Sequence, residues 1–122
     1  MGKKIDFDAL AGRISEYGFA YLITVGDDDR IHTSPVNPTV TAPHLAVNTP
    51  SARVRANTSS RPQVSLVWPP TTSDGYSLIV DGEARVVADS LTVTPTRAIL
   101  HRPAPRPDPG ADDTCGSDCI EL

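Results

Sequence analysis

Short runs of β-branched, aromatic and aliphatic residues recur along this chain, and each is cut off by proline, glycine or a cluster of aspartates. "FAYLITV" (19–25) runs into the polar turn "GDDD" (26–29), and "RIHTSPVNPTV" (30–40) is parted from "HLAVN" (44–48) by Ala42-Pro43. "QVSLVW" (63–68) stops at Pro69-Pro70. Runs of this length, with turn residues between them, read as strands joined by short connections. "YSLIVDGEARVVA" (76–88) is long for one strand, and Gly82 in its middle predicts a bulge or sharp bend rather than a tight hairpin. "LTVTPTRAILH" (91–101) alternates apolar and polar residues and reads as the sixth and last strand. Pro35 and Pro38 remove two ladder donors, so the second strand is expected to carry a bulge or to lie partly at a sheet edge.

Two segments read as helices. In "DFDALAGRISEY" (6–17), Phe7, Leu10, Ile14 and Tyr17 fall three and four apart, Asp6 is placed to cap, and Gly18 to stop the helix. "SARVRANTSS" (51–60) is a short helix with Ser51 as its cap. One helix, then strands with a second short helix between the third and fourth, indicates a mainly β fold, a small antiparallel barrel. After His101 the chain changes character: residues 103–122 are rich in proline and acidic or small polar groups and read as an extended arm or tail following a domain of residues 1–102.

A chain of 122 residues is one small domain, and a core drawn from 39% apolar residues suits a dimer. Asp6 and Asp8 interrupt any apolar run at the start, and no stretch approaches the ~20 apolar residues of a membrane span. A cytoplasmic protein without membrane contact is therefore expected. Its formal charge of −4 makes nucleic acid a poor partner, since that role calls for a broad basic face. Cys115 and Cys119 form a C-x3-C pair that cannot complete a zinc site on its own. A metal pair, a local disulfide and no role at all are each compatible with the spacing, and no role is expected on so proline-rich a segment.

The distribution of charge says more than its sum. From Ile31 to Ser73 there is no Asp or Glu, while the same window holds Arg53, Arg55, Arg61, two His and thirteen Ser or Thr. An even spread of the acids would place about five there. Such a window suits a small anion. A phosphate monoester is best held by a guanidinium fork, hydroxyls and the free N–H groups of a helix start, and "NTPSARVR" offers all three. Arg53 and Arg55 are two apart and cannot both face one ligand from a helix; Arg55 is the slightly better choice. Solvated arginines on a helix surface are the alternative.

His32, Ser34 and Asn37 in "HTSPVNP" either line a pocket from a strand stiffened by prolines or face water from an edge. No nucleophile elbow such as G-x-S-x-G accompanies His32, which speaks against a hydrolase. Trp68 and Tyr76 bracket "PPTTSDG", a loop that either covers a planar ring or leaves the aromatics to pack the barrel.

Together, "FAYLITVGDDDRIHTSPVNPTV", the basic helix with Asn57 in "RVRANTSSRPQVSLVW", and "YSLIVDGEARVV" resemble the pyridoxamine 5′-phosphate oxidase-like, FMN-binding split barrel superfamily over about residues 17 to 102. The resemblance implies a six-stranded antiparallel split β-barrel with short helices, a homodimer, and a flavin or deazaflavin in the groove between subunits. By position, His32, Thr33, Ser34, Pro35 and Val36 would flank the ring system, with Val47 and Asn48 on the intervening strand. Thr49, Ser51, Arg53, Arg55 and Asn57 would hold the phosphate end, and Trp68 would come from the facing subunit. Two departures stand out. Arg occupies the start of the basic helix where relatives often have Lys, and the chain is short beside true pyridoxamine phosphate oxidases, whose C-terminal extension helps bind pyridoxal phosphate, so that reaction is not expected. The expected function is hydride transfer to or from a small organic substrate with FMN, or alternatively the deazaflavin coenzyme F420, whose longer acidic tail Lys3, Lys4 and Arg61 would suit. A binding protein that holds such a cofactor without turnover is the second expectation.

Overall fold

The computed structural model describes residues 5–103 and 117–122. Its elements are α1 (Phe7–Ile14), β1 (Ala20–Val25), β2 (Ile31–Val36), β3 (Thr39–Thr41), β4 (His44–Asn48), α2 (Ala52–Ser60), β5 (Gln63–Trp68), β6 (Ser77–Val87), β7 (Ser90–Pro103) and β8 (Ser117–Glu121). All strand pairs are antiparallel, in the order β2-β1-β5-β6-β7-β4-β3, with β8 added to β7.

The expected fold class stands, and the strand count differs from six at two places. The run 30–40 is split, because Asn37-Pro38 leaves the ladder between β2 and β3. Those two strands lie at opposite ends of the sheet order, yet only two residues join them, a reach of roughly 11 Å. The sheet must therefore curl until its two edges stand side by side, which makes a barrel closed by the chain rather than by a ladder. The other addition is β8, which pairs with Ile99–Pro103 of β7 and brings Leu122 N–H to the Ala98 carbonyl at 2.8 Å. Residues 104–116, including Cys115, lie outside the described residues, as do Lys3 and Lys4.

Alternation along the strands fills the interior. Leu22, Leu45, Leu66, Trp68, Leu78, Val80, Leu91 and Val93 are all buried, and α1 adds Leu10 and Ile14. Asp6 caps α1, its carboxylate accepting from Ala9 N–H at 3.1 Å. The helix is shorter than its periodicity predicts. Glu16 and Tyr17 donate three residues back, to Arg13 and Ile14, so the last turn tightens and closes before Gly18. In β6 the register slips between Asp81 and Gly82. A Cβ on Gly82 would stand 2.7 Å from the Thr94 carbonyl oxygen, so only glycine lets β7 approach at the bulge.

Asn, Thr and Ser crowd the second half of α2 and weaken it as a helix, against two Ala and two Arg in its first half. It is held instead by Ser51, whose hydroxyl accepts from Val54 N–H at 3.2 Å, and by burial of Val54, Asn57 and Thr58 on one side. Among the described residues, no helix is long and apolar enough to cross a membrane.

Candidate functional site

Between the ends of β2 and β4 and the start of α2, the barrel leaves a cavity of about 480 Å³. Ser34, Pro35 and Val36 at the end of β2, continuing into Asn37, form one wall. Val47 and Asn48 at the end of β4 form another. Thr49, Pro50 and Ser51 bring the start of α2 to its rim, and Leu22 and Val54 complete an apolar floor. Three other concavities among the described residues, of about 300, 380 and 440 Å³, are smaller and lie elsewhere on the barrel.

The rim has the chemistry of an anion site. Ser51 satisfies Val54 N–H, while the first turn of any helix leaves further N–H groups without intrahelical partners, here those of Ala52 and Arg53. The first turn of α2 contains no acidic residue, so no side chain of the helix itself offsets the positive end of its dipole. Thr49 holds a left-handed φ of 47°, fixed by its N–H donating to the Asp89 carbonyl at 2.8 Å. This turn carries the chain from β4 into the helix at the cavity edge. Among the described residues, no titratable side chain lines the cavity.

Of the residues expected at the site, the structure brings together Ser34, Pro35, Val36, Val47, Asn48, Thr49 and Ser51. The others lie outside the lining. His32 is half-buried opposite Thr24, and Thr33 points away on the exposed face of β2. Trp68 is 1% exposed in the barrel's own core, so it has no surface to lend to a second subunit. Asn57 is a packing residue: at 5% exposure its amide donates to the buried Thr24 hydroxyl at 3.0 Å, tying α2 to β1. Gly26 is pressed against it, since a Cβ there would meet Asn57 Oδ1 at 2.9 Å.

Two of the three arginines lie near carboxylates that their stretch of sequence lacks. The 26–29 turn folds against α2, where Arg61 pairs with Asp29 at 2.6 Å. Arg53 faces the separate 380 Å³ concavity together with Asp27 and Asp28, and Arg55 lines neither cavity. A carboxylate-free window in sequence is thus not carboxylate-free in space. Reading the residues missed Leu22, Pro50 and Val54 in the lining. The signal for Val54 was its place one turn after the Ser51 cap. Among the described residues no group of three or more His, Cys, Asp or Glu is placed to hold a metal.

A mainly antiparallel sheet, curled so that its ends meet at a cavity beside a capped helix, is the split barrel of the pyridoxamine 5′-phosphate oxidase-like proteins. A protein of Clostridium acetobutylicum related to general stress protein 26, of the pyridoxinephosphate oxidase family, shares the fold at a TM-score of 0.65, with 9% identity and 97% of each chain covered. An F420 reductase matches at 0.60, with 15% identity over 79% of this chain and 98% of its own. The FAD binding protein of Mycobacterium smegmatis matches at 0.58, with 20% identity over 77% and 91%. The haem storage protein of Vibrio cholerae also shares the fold, at 0.53 with 14% identity over 75% and 89%. No protein-family model matches the chain. The chain belongs to one family with the uncharacterized proteins Mb0449c of Mycobacterium bovis and MT0457 of Mycobacterium tuberculosis, to each of which it is 40% identical over 97% of its own length and 94% of theirs.

Proposed function

We propose that the cavity binds a flavin-type cofactor, FMN, and that the protein uses it for hydride transfer with a small organic substrate. The observation that carries this is the meeting of an apolar floor (Leu22, Val47, Val54) with a rim of Ser34, Asn48, Thr49 and Ser51 at a helix start whose first turn has no acidic residue. That donor set fits a phosphate-bearing ligand, and the volume falls in the range of ordinary cofactor sites. Ser51 and the first N–H groups of α2 would hold the phosphate, while Pro35, Val36 and Val47 would shield the ring from water. The bound flavin supplies the hydride chemistry; the chain positions it and excludes solvent. FMN is favoured over the deazaflavin F420, since Arg61, one of the cations suited to a longer acidic tail, is engaged by Asp29.

A homodimer is part of the proposal. Phe19 and Tyr21, packed edge to face at 5.0 Å, and Ile31 at 72% exposure offer an apolar outer side of β1 and β2 for it. A second function, cofactor storage or carriage without turnover, draws support from the lack of titratable groups among the described residues of the cavity and from the haem storage protein of similar fold.

The test is a visible spectrum of the purified protein followed by titration with FMN, riboflavin and F420. At a hundredfold excess over its dissociation constant a ligand stabilises by about 2.7 kcal/mol, which a melting curve reads directly. Saturable binding of FMN, weaker binding of riboflavin and bleaching with a reductant and an acceptor support the enzyme. Binding without any turnover supports the carrier, and absence of binding by all three ligands overturns the enzyme and a flavin carrier alike.

A further inference from the structure

Where the 26–29 turn folds against α2, two opposite charges face one hollow without meeting. Arg61 holds Asp29 at 2.6 Å, and Arg30 holds Asp28 at 3.6 Å while its N–H donates to the same carboxylate at 3.1 Å. Asp27 and Arg53 line the concavity of about 380 Å³ together with Gly26, Asp28, Ala56 and Asn57. Among the described residues neither Asp27 nor Arg53 forms an ion pair, with each other or with a third group. Beneath them Asn57, 5% exposed, spends its amide N–H on Thr24, and its carbonyl oxygen accepts no hydrogen bond. Among the described residues no side-chain oxygen or nitrogen is sealed from solvent without a partner, so this oxygen opens onto the concavity that Asn57 lines. A Cβ on Gly26 would stand 2.9 Å from both Asn57 Oδ1 and Asp28 Oδ1, so glycine is what leaves these two acceptors in place beside the backbone.

We propose that this concavity is a second ligand site, which takes a small zwitterion carrying one ammonium and one carboxylate, the chemistry of a free amino acid. An anion alone would face Asp27, and a cation alone would face Arg53; a ligand with both charges meets each with its opposite. An ammonium has three N–H donors and no acceptor, which suits the Asp27 carboxylate and the Asn57 carbonyl oxygen. A carboxylate takes the guanidinium fork of Arg53 through two parallel hydrogen bonds. The carbonyl of a nearly buried amide then gains the partner that it lacks within the chain. This site shares no lining residue with the cofactor cavity, and α2 is the element that serves both.

The experiment follows backbone amide shifts of the full, isotope-labelled chain by nuclear magnetic resonance. The probes are glycine, β-alanine and γ-aminobutyrate, which carry the same two charges at growing separation, with ethylammonium and acetate as single-charge references. Saturable shifts at Gly26, Asp27 and Ala56 are expected for at least one zwitterion, with either reference about tenfold weaker or more. Asp27 and Arg53 are exposed, so Asp27→Asn and Arg53→Gln leave the core intact, and each is expected to weaken the zwitterion at least about tenfold. Arg55→Gln, outside this lining, is expected to bind as the parent does. No saturable shift with any zwitterion, a reference that binds as tightly as the best of them, or an Arg55→Gln loss equal to that of Arg53→Gln overturns the proposal. The shifts are read in the absence of flavin and at residues outside the cofactor cavity, so the result does not depend on flavin binding.

Discussion

Ser51 does two jobs at one atom. Its hydroxyl caps α2 through Val54 N–H and stands on the rim of the cavity. Ser51→Asp separates them, because Asp caps as well as Ser and suits the helix dipole, yet sets a negative charge where an anion should bind. Unfolding free energy is expected to stay within about 0.5 kcal/mol of the parent, while FMN affinity falls at least about tenfold, or ~1.4 kcal/mol. Riboflavin, without the phosphate, is expected to lose far less. Equal losses for both ligands in calorimetric titration would show that the phosphate lies elsewhere. A second residue sets a pH limit. Burial pushes the Tyr17 phenol above its ordinary range, Arg13 opposing and Glu16 adding to the shift, and its O–H donates to the Tyr76 carbonyl at 3.0 Å. The neutral phenol is the form that the fold favours. Its contribution is therefore complete below the unfolded value of about 10 and is lost as pH rises through the raised folded value. Tyr17→Phe is expected to flatten that alkaline limb in denaturant titrations across the same pH range.

At the scale of elements, what the sequence makes legible is what local chemistry decides. Strands with β-branched residues between turn signals, the Asp6 and Ser51 caps and the Gly82 bulge all follow from residues a few positions apart. The β8 segment "SDCIE" has a single β-branched residue and becomes a strand because β7 presents an edge to it. The pairing of Arg61 with Asp29 is likewise invisible in a window of composition, because the 26–29 turn reaches α2 only after β1 and β2 have paired. Half of the candidate site was legible for the same reason: Ser34 to Val36 and Asn48 to Ser51 are contiguous runs, whereas Asn57 and Trp68 owe their buried positions to packing. The bulge gives the sharpest element-level prediction. Gly82→Val drives a side chain into the Thr94 backbone and is expected to cost about 3 kcal/mol in urea unfolding. Retention of full stability would mean that β6 and β7 separate at that point without loss.

For the whole molecule, β8 acts as a clasp that ties the end of the chain across the second half of β7. A chain ending at Pro103 loses that pairing and the packing of Leu122 against the core. Its melting temperature is expected to fall by several degrees, since ~1 kcal/mol moves a domain of about 100 residues by ~4–8 °C. An unchanged melting curve would show the clasp to be thermodynamically idle. FMN binding is expected to survive the truncation, because no described residue of β8 lines the cavity.

The two-residue link between β2 and β3 also bears on how the sheet's edges are kept from other chains. An open sheet offers two rows of unpaired backbone groups, each a template for another chain. Here one outer strand carries Pro35, and the other is only three residues long, set between Pro38 and the Pro43 turn. Neither presents a long regular ladder, and the link keeps both turned toward each other. The prolines that interrupt the strands therefore also guard the barrel against edge-to-edge aggregation, even though its seam is never closed by hydrogen bonds.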